Sequence, residues 1–180
     1  TGNENVGDFG IKNLATGLKN LKSLTTFNLD LNDCPNISDQ GFIAINDQLK
    51  NLTKLKRIHI NVENNPNTSE ASLANLGSVL KEFDELTEIS LRFADNITDE
   101  GLEIFFESLK DLQNLKVFHF NVGKSEEPTD KSLFVLASVV KNWKFLLGFM
   151  VLFDSCSNIT GEGDKAPCVG LQNLEDADFN

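Results

Sequence analysis

His59 and His119 are the only two histidines of the chain, and they sit in matching pentads, IHINV from Ile58 and FHFNV from Phe118. Two imidazoles in matching surroundings raise metal binding first. Both pentads alternate apolar and polar residues, the pattern of a strand with one buried face. The residue that falls between them in the same series is Ser90, neither a metal ligand nor an acid. Two strand steps of about 4.8 Å each place the rings roughly 10 Å apart. Zinc holds an imidazole nitrogen at about 2.0–2.1 Å, so one ion cannot bridge that gap. The expectation is two solvated histidines that contact a partner, with no metal and no cofactor.

Other catalytic chemistry finds no better footing. No Ser-His-Asp or Cys-His constellation is readable, and no Gly-rich loop with a Lys follows a strand to cradle phosphate. The carboxylates fall mostly at helix starts or on solvated faces, so the chain is not expected to be an enzyme. Of the three cysteines, Cys34 and Cys156 each lie ten residues after a strand's first leucine, Leu24 and Leu146. Equivalent positions four repeats apart are separated by about 19 Å, beyond disulfide reach. Cys156 with Cys168 remains conceivable, but an odd count without a paired framework reads as reduced thiols in a cytosol.

Charge narrows the partner. The 180 residues carry 27 acids against 16 bases, a formal net charge of -11. Phosphate binding depends on clustered Lys and Arg, so nucleic acid is excluded as an expected partner, and an anionic membrane surface with it. A protein with a basic surface fits better. No apolar run approaches the roughly 20 residues that span a bilayer. The chain begins at Thr1 without a secretory signal pattern, so it is read as a piece of a longer protein, with further repeats or domains as possible neighbours.

The elements that must position these residues are repeated. Segments of the form apolar-x-x-apolar-x-apolar-x-apolar start at Leu24, Leu55, Leu86, Leu115 and Leu146, at steps of 31, 31, 29 and 31 residues. A sixth, fainter copy begins at Leu174. Between strands the apolar period changes to that of a helix. Ile11, Leu14, Leu18 and Leu21 are spaced i, i+3, i+7, i+10, and the spacing recurs from Phe42, Leu73, Leu102 and Leu133. That places each set on one helical stripe.

A phrase opens each helix: NISDQGF at Asn36 returns as NITDEGL at Asn96. Ser38, Ser69, Thr98 and Thr129 are expected N-caps, and Asp39, Glu70, Asp99 and Asp130 first-turn acids that suit the helix dipole. Gly41 and Gly101, replaced by Ser72 and Ser132 in alternate repeats, are small where a helix approaches its neighbour. The recurring Asn residues turn the chain and bond the backbone with their amides. A two-repeat rhythm also shows, with TSEASL at Thr68 answered by PTDKSL at Pro128; duplication of a two-repeat unit is the simplest account.

One strand and one helix cannot bury their own apolar faces, but stacked copies can. The pattern L-x-x-L-x-L followed by N-I-[ST]-D-x-G-[FL] and the helical stripe resembles the leucine-rich repeat family, in its longer ribonuclease-inhibitor-like subclass. The resemblance covers nearly the whole chain and departs at strand-to-helix turns lengthened by residues such as Asn32 to Pro35. It implies an α/β solenoid, a horseshoe with a parallel sheet on the concave face, helices on the convex face and about six repeats of 28–31 residues. The whole of 1–180 is then one array: a partial repeat near 1–23, then 24–54, 55–85, 86–114, 115–145, 146–173, and a partial 174–180. Three glycines and Pro167 argue against a full sixth helix. Residues 160–173 are either a degenerate terminal repeat or the lead-in to another domain.

The alternate strand residues form the expected binding surface. One row reads Asn28, His59, Ser90, His119, Met150, and a second Asp30, Asn61, Arg92, Asn121, Leu152. Arg57 and Arg92 are the strand arginines and point the same way, a residue type enriched at interface hot spots. Met150 and Leu152, beside Gly148, turn the last column apolar, either as a contact patch or as a seat for the C-terminal segment. The leading expectation is a non-enzymatic scaffold binding a partner protein on the concave face, in the cytoplasm. The resemblance also allows a regulatory module of a larger signalling protein, GTPase-activating or kinase-linked. Five N-x-S/T sequons, at Asn36, Asn51, Asn67, Asn96 and Asn158, keep an extracellular glycosylated recognition domain as a further alternative.

Overall fold

In the computed structural model, residues 3–93, 97–123, 125–154, 156–163 and 165–167 are described. Helices and strands alternate: α1 Asp8–Leu18, β1 Thr26–Asp30, α2 Asp39–Leu49, β2 Arg57–Asn61, α3 Glu70–Leu80, β3 Glu88–Phe93, α4 Asp99–Ser108, β4 Val117–Val122, α5 Asp130–Val140 and β5 Gly148–Phe153. The strands form one parallel sheet in sequence order, β1-β2-β3-β4-β5. Thr26 pairs Arg57, Arg57 pairs Glu88, Glu88 pairs Val117 and Val117 pairs Gly148. Those offsets equal the spacing of the leucine-headed segments, because each helix returns the chain to the same level of the neighbouring strand.

One face of the sheet packs on the helices. Phe27, Leu29, Ile58, Ile60, Ile89, Leu91, Phe118 and Phe120 belong to a single buried cluster with the helical stripes. The stripe breaks only at the first helix: Leu14 and Leu21 are 46% and 48% exposed, whereas their counterparts Ile45 and Leu52 are fully buried. Those counterparts are covered by the preceding repeat, and Leu14 and Leu21 have none described before them. Trp143 is fully buried, its Nε1 donating to Leu109 O at 3.1 Å and its ring 4.9 Å from that of Phe118.

The expected N-caps form. Ser38, Ser69, Thr98 and Thr129 accept from backbone N–H groups of α2, α3, α4 and α5. The first-turn acids have a further role that spacing alone did not reveal: each reaches the N-cap of the next repeat. Asp8 accepts from Ser38 N and Oγ at 2.8 and 2.6 Å. Asp39 accepts from Ser69 N and Oγ at 2.8 and 2.7 Å, and from Ser72 Oγ at 2.5 Å. Glu70 with Thr98 and Asp99 with Thr129 continue the ladder. A Cβ on Gly41 would collide with Asp8 Oδ1, and one on Gly101 with Glu70 Cβ. The small residues make room for that carboxylate.

The corner asparagines bond backward as well. Asn36 Nδ2 donates to Glu4 O at 2.6 Å, Asn67 to Pro35 O at 2.8 Å and Asn158 to Glu126 O at 2.5 Å. Asn96 lies outside the described residues. The lengthened turns place Asp33 and Asn64 in the left-handed region, at φ 54° and 55°. Beyond β5, Thr160 is tied to Asp130 at 2.7 and 2.5 Å and accepts from Glu162 N at 3.2 Å. Residues 161–163 and 165–167 are helical there, behind the same cap-and-carboxylate arrangement. Cys168 and the copy at Leu174 lie outside the described residues. Cys34 and Cys156 are free and buried.

Candidate functional site: the open sheet face

The face turned away from the helices carries three rows, set by the register. Asn28, His59, Ser90, His119 and Met150 align across the strands, as do Asp30, Asn61, Arg92, Asn121 and Leu152. A third row, Thr26, Arg57, Glu88, Val117 and Gly148, completes it. An open depression of about 340 Å³ covers the first three columns, between Asn28, Asp30, His59, Asn61, Ser90 and Arg92.

The two histidines differ in their contacts. His59 Nε2 stands 3.2 Å from Glu88 Oε1, and Arg57 Nε donates to Thr26 Oγ1 at 3.1 Å. His119 borders the Gly148 backbone, where an added Cβ would lie 4.0 Å from its Nε2. Among the described residues no group of three or more His, Cys, Asp or Glu is placed to hold a metal ion. Burial pushes the Cys156 thiol up, so at neutral pH it is a protonated thiol rather than a nucleophilic thiolate.

Asn121 departs from the expected solvated contact. It is only 8% exposed, and its Nδ2 donates to Glu63 Oε1 and Asp154 Oδ2, each at 3.2 Å. Arg92 Nη1 lies 3.7 Å from Glu63 Oε2. Glu63, Glu88 and Asp154 therefore belong to the face although sequence reasoning passes them over. Glu88 carries a usable signal, one strand along from Arg57 in the register, whereas Glu63 and Asp154 lie just past strand ends, where alternation stops. Asn65 is a further residue the sequence did not single out. It is fully buried beneath the corner, accepting from Cys34 N at 2.8 Å and donating to Leu31 O and Val62 O at 2.8 and 3.0 Å.

The last column is apolar, and more widely than the two rows indicated. Met150 and Leu152 are 41% and 42% exposed, and Phe145 and Leu147 reach 58% and 84%. Leu147 donates its backbone N–H to Lys116 O and stands where the preceding repeats carry Lys116, Thr87 and Lys56. Among the described residues no helix is long and apolar enough to cross a membrane.

No family model matches the sequence. No curated protein matches it either. Solved structures do. The C-terminal domain of tropomodulin from Caenorhabditis elegans aligns at a TM-score of 0.66 and 12% identity, over 93% of this chain and 94% of that one. Leiomodin-1 actin-binding site 2 aligns at 0.68 and 16% identity, over 94% of this chain and 90% of that one. At such identities the likeness is one of fold: a parallel sheet alternating with helices over the same length.

Proposed function

We propose that the chain is a non-enzymatic protein-interaction module of leucine-rich-repeat type, a curved stack that binds a partner protein on its open, concave sheet face. One observation carries this reading: the sheet holds a broad face free of helices, polar through four columns except at Val117 and apolar in the fifth, with Arg92 half exposed in its middle. An apolar patch rimmed by polar groups is the composition of a contact surface. The fold agrees, since one domain it resembles is described as an actin-binding site. Nothing on the face favours covalent chemistry over contact, and a cytoplasmic setting suits the buried free thiols.

The test takes purified actin as the first partner, followed by proteins retained from the native source. Binding to the unaltered chain is compared with binding to Arg92→Glu combined with Met150→Glu, after equal unfolding midpoints are shown. Loss of binding in the altered chain supports the face. Binding that survives both changes rejects it.

A further inference from the structure

The strand-to-helix edge of the open face holds an unbalanced charge cluster. Glu63 and Asp154 approach the Asn121 amide from two sides, each 3.2 Å from Nδ2. The two carboxylate oxygens are therefore no further apart than twice that distance. The amide's orientation follows, because a carbonyl oxygen in the place of Nδ2 would face two anions. Asn121 is more than nine-tenths buried, at 8% exposure, and its Oδ1 has no hydrogen-bond partner. Among the described residues Arg92 reaches only Glu63, at 3.7 Å, with its side chain 54% exposed. Among the described residues no base pairs with Asp154. The cluster thus lacks one positive charge among the described residues.

We propose that this edge receives an arginine side chain from a basic segment of the partner protein. The proposal rests on the open face being the protein-binding surface and names the chemistry of what binds there. A guanidinium at this edge donates to both carboxylates at about 2.7–2.9 Å. The wider charge distribution steers it. The same edge carries Asp30, Asp33, Glu126 and Glu127, while Lys54, Lys56, Lys110, Lys116, Lys141 and Lys144 line the opposite, helix-to-strand edge. A cationic segment is thus drawn to one edge and turned away from the other.

The probe is the peptide acetyl-Gly-Arg-Gly-Arg-Gly-amide, titrated into the intact chain and followed by NMR at low salt and at about 0.3 M salt. The expected result is a saturable shift of the Asn121 side-chain amide. Binding weakens by about tenfold in Glu63→Gln combined with Asp154→Asn and is unchanged in Glu85→Gln on the opposite edge. Equal weakening in both variants means general charge attraction and overturns the proposal, as does binding that leaves Asn121 unmoved, or no binding. Should Arg92→Glu with Met150→Glu still abolish partner binding while the peptide fails, the face stands and the arginine site falls.

Discussion

Asp39→Ala separates two views of the acids that open each helix. As a first-turn acid alone, Asp39 contributes about 0.3–1 kcal/mol through the helix dipole. The structure gives it three more bonds, from Ser69 N, Ser69 Oγ and Ser72 Oγ, at 2.8, 2.7 and 2.5 Å across the α2–α3 boundary. Ser72 is fully buried, so water cannot replace its lost acceptor, whereas the Ser69 groups are only partly covered. At about 1 kcal/mol for each bond, a figure below that for fully buried charged pairs, plus the dipole share, the loss is about 3–4 kcal/mol. Glu100→Ala is the control, an exposed first-turn acid of α4, and should cost less than about 1 kcal/mol. Urea unfolding at pH 7 reads both, and the double cycle with Ser69→Ala should return a coupling above about 1 kcal/mol. If Asp39→Ala and Glu100→Ala fall within about 0.5 kcal/mol of each other, the inter-repeat ladder carries no weight and the argument fails.

Gly101→Ala should destabilise by about 1–3 kcal/mol, because the new methyl collides with Glu70 Cβ in the preceding repeat. Gly17→Ala, also helical but with nothing within 4 Å, should stabilise by about 0.5–1 kcal/mol, and thermal unfolding of the two distinguishes contact from propensity. Acid should unfold the array through its ladder. Although burial opposes it, the Asp8 carboxyl is held below its ordinary value by the Ser38 hydroxyl and N–H and by Lys12, and Asp130 is held low by Thr160. Their contribution is present above the unfolded-state value of about 3.9 and is lost as pH falls through the lowered one. Asp8→Asn with Asp130→Asn should therefore flatten the stability-against-pH curve below about pH 4, measured by urea midpoints.

Periodicity makes most of the architecture legible in the amino-acid sequence. Register is a repeat property, so the spacing of Leu24, Leu55, Leu86, Leu115 and Leu146 carries over directly into strand pairing. The rows of the open face follow from the same arithmetic. What escapes it is whatever one repeat does to another. Asp39 looks the same in sequence whether it serves its own helix or Ser69, and only the stack decides. Asn121 shows the converse: alternation puts it on the open side, yet Glu63 and Asp154 close over it from loops whose course no period predicts. The apolar column is half visible for a related reason. Met150 and Leu152 lie in the rows, whereas Phe145 and Leu147 precede the strand and are recognised only against their equivalents one repeat earlier, Asn114 and Lys116.

The backward-facing bonds also bear on how such a face could work. Where strand-and-helix units stack side by side, stability is a sum of units and nearest-neighbour interfaces, so weak boundaries would let the strands shift relative to one another. Here each described boundary is pinned by a carboxylate on the next N-cap, and those at Asn36, Asn67 and Asn158 also by an amide on the previous carbonyl. Both sets lie at the strand-to-helix edge, the one that carries Glu63, Asn121 and Asp154. The residues that would meet a partner are therefore fixed by the bonds that hold the stack together. A partner that docks there meets side chains already ordered, and less of its contact energy is lost in arranging them.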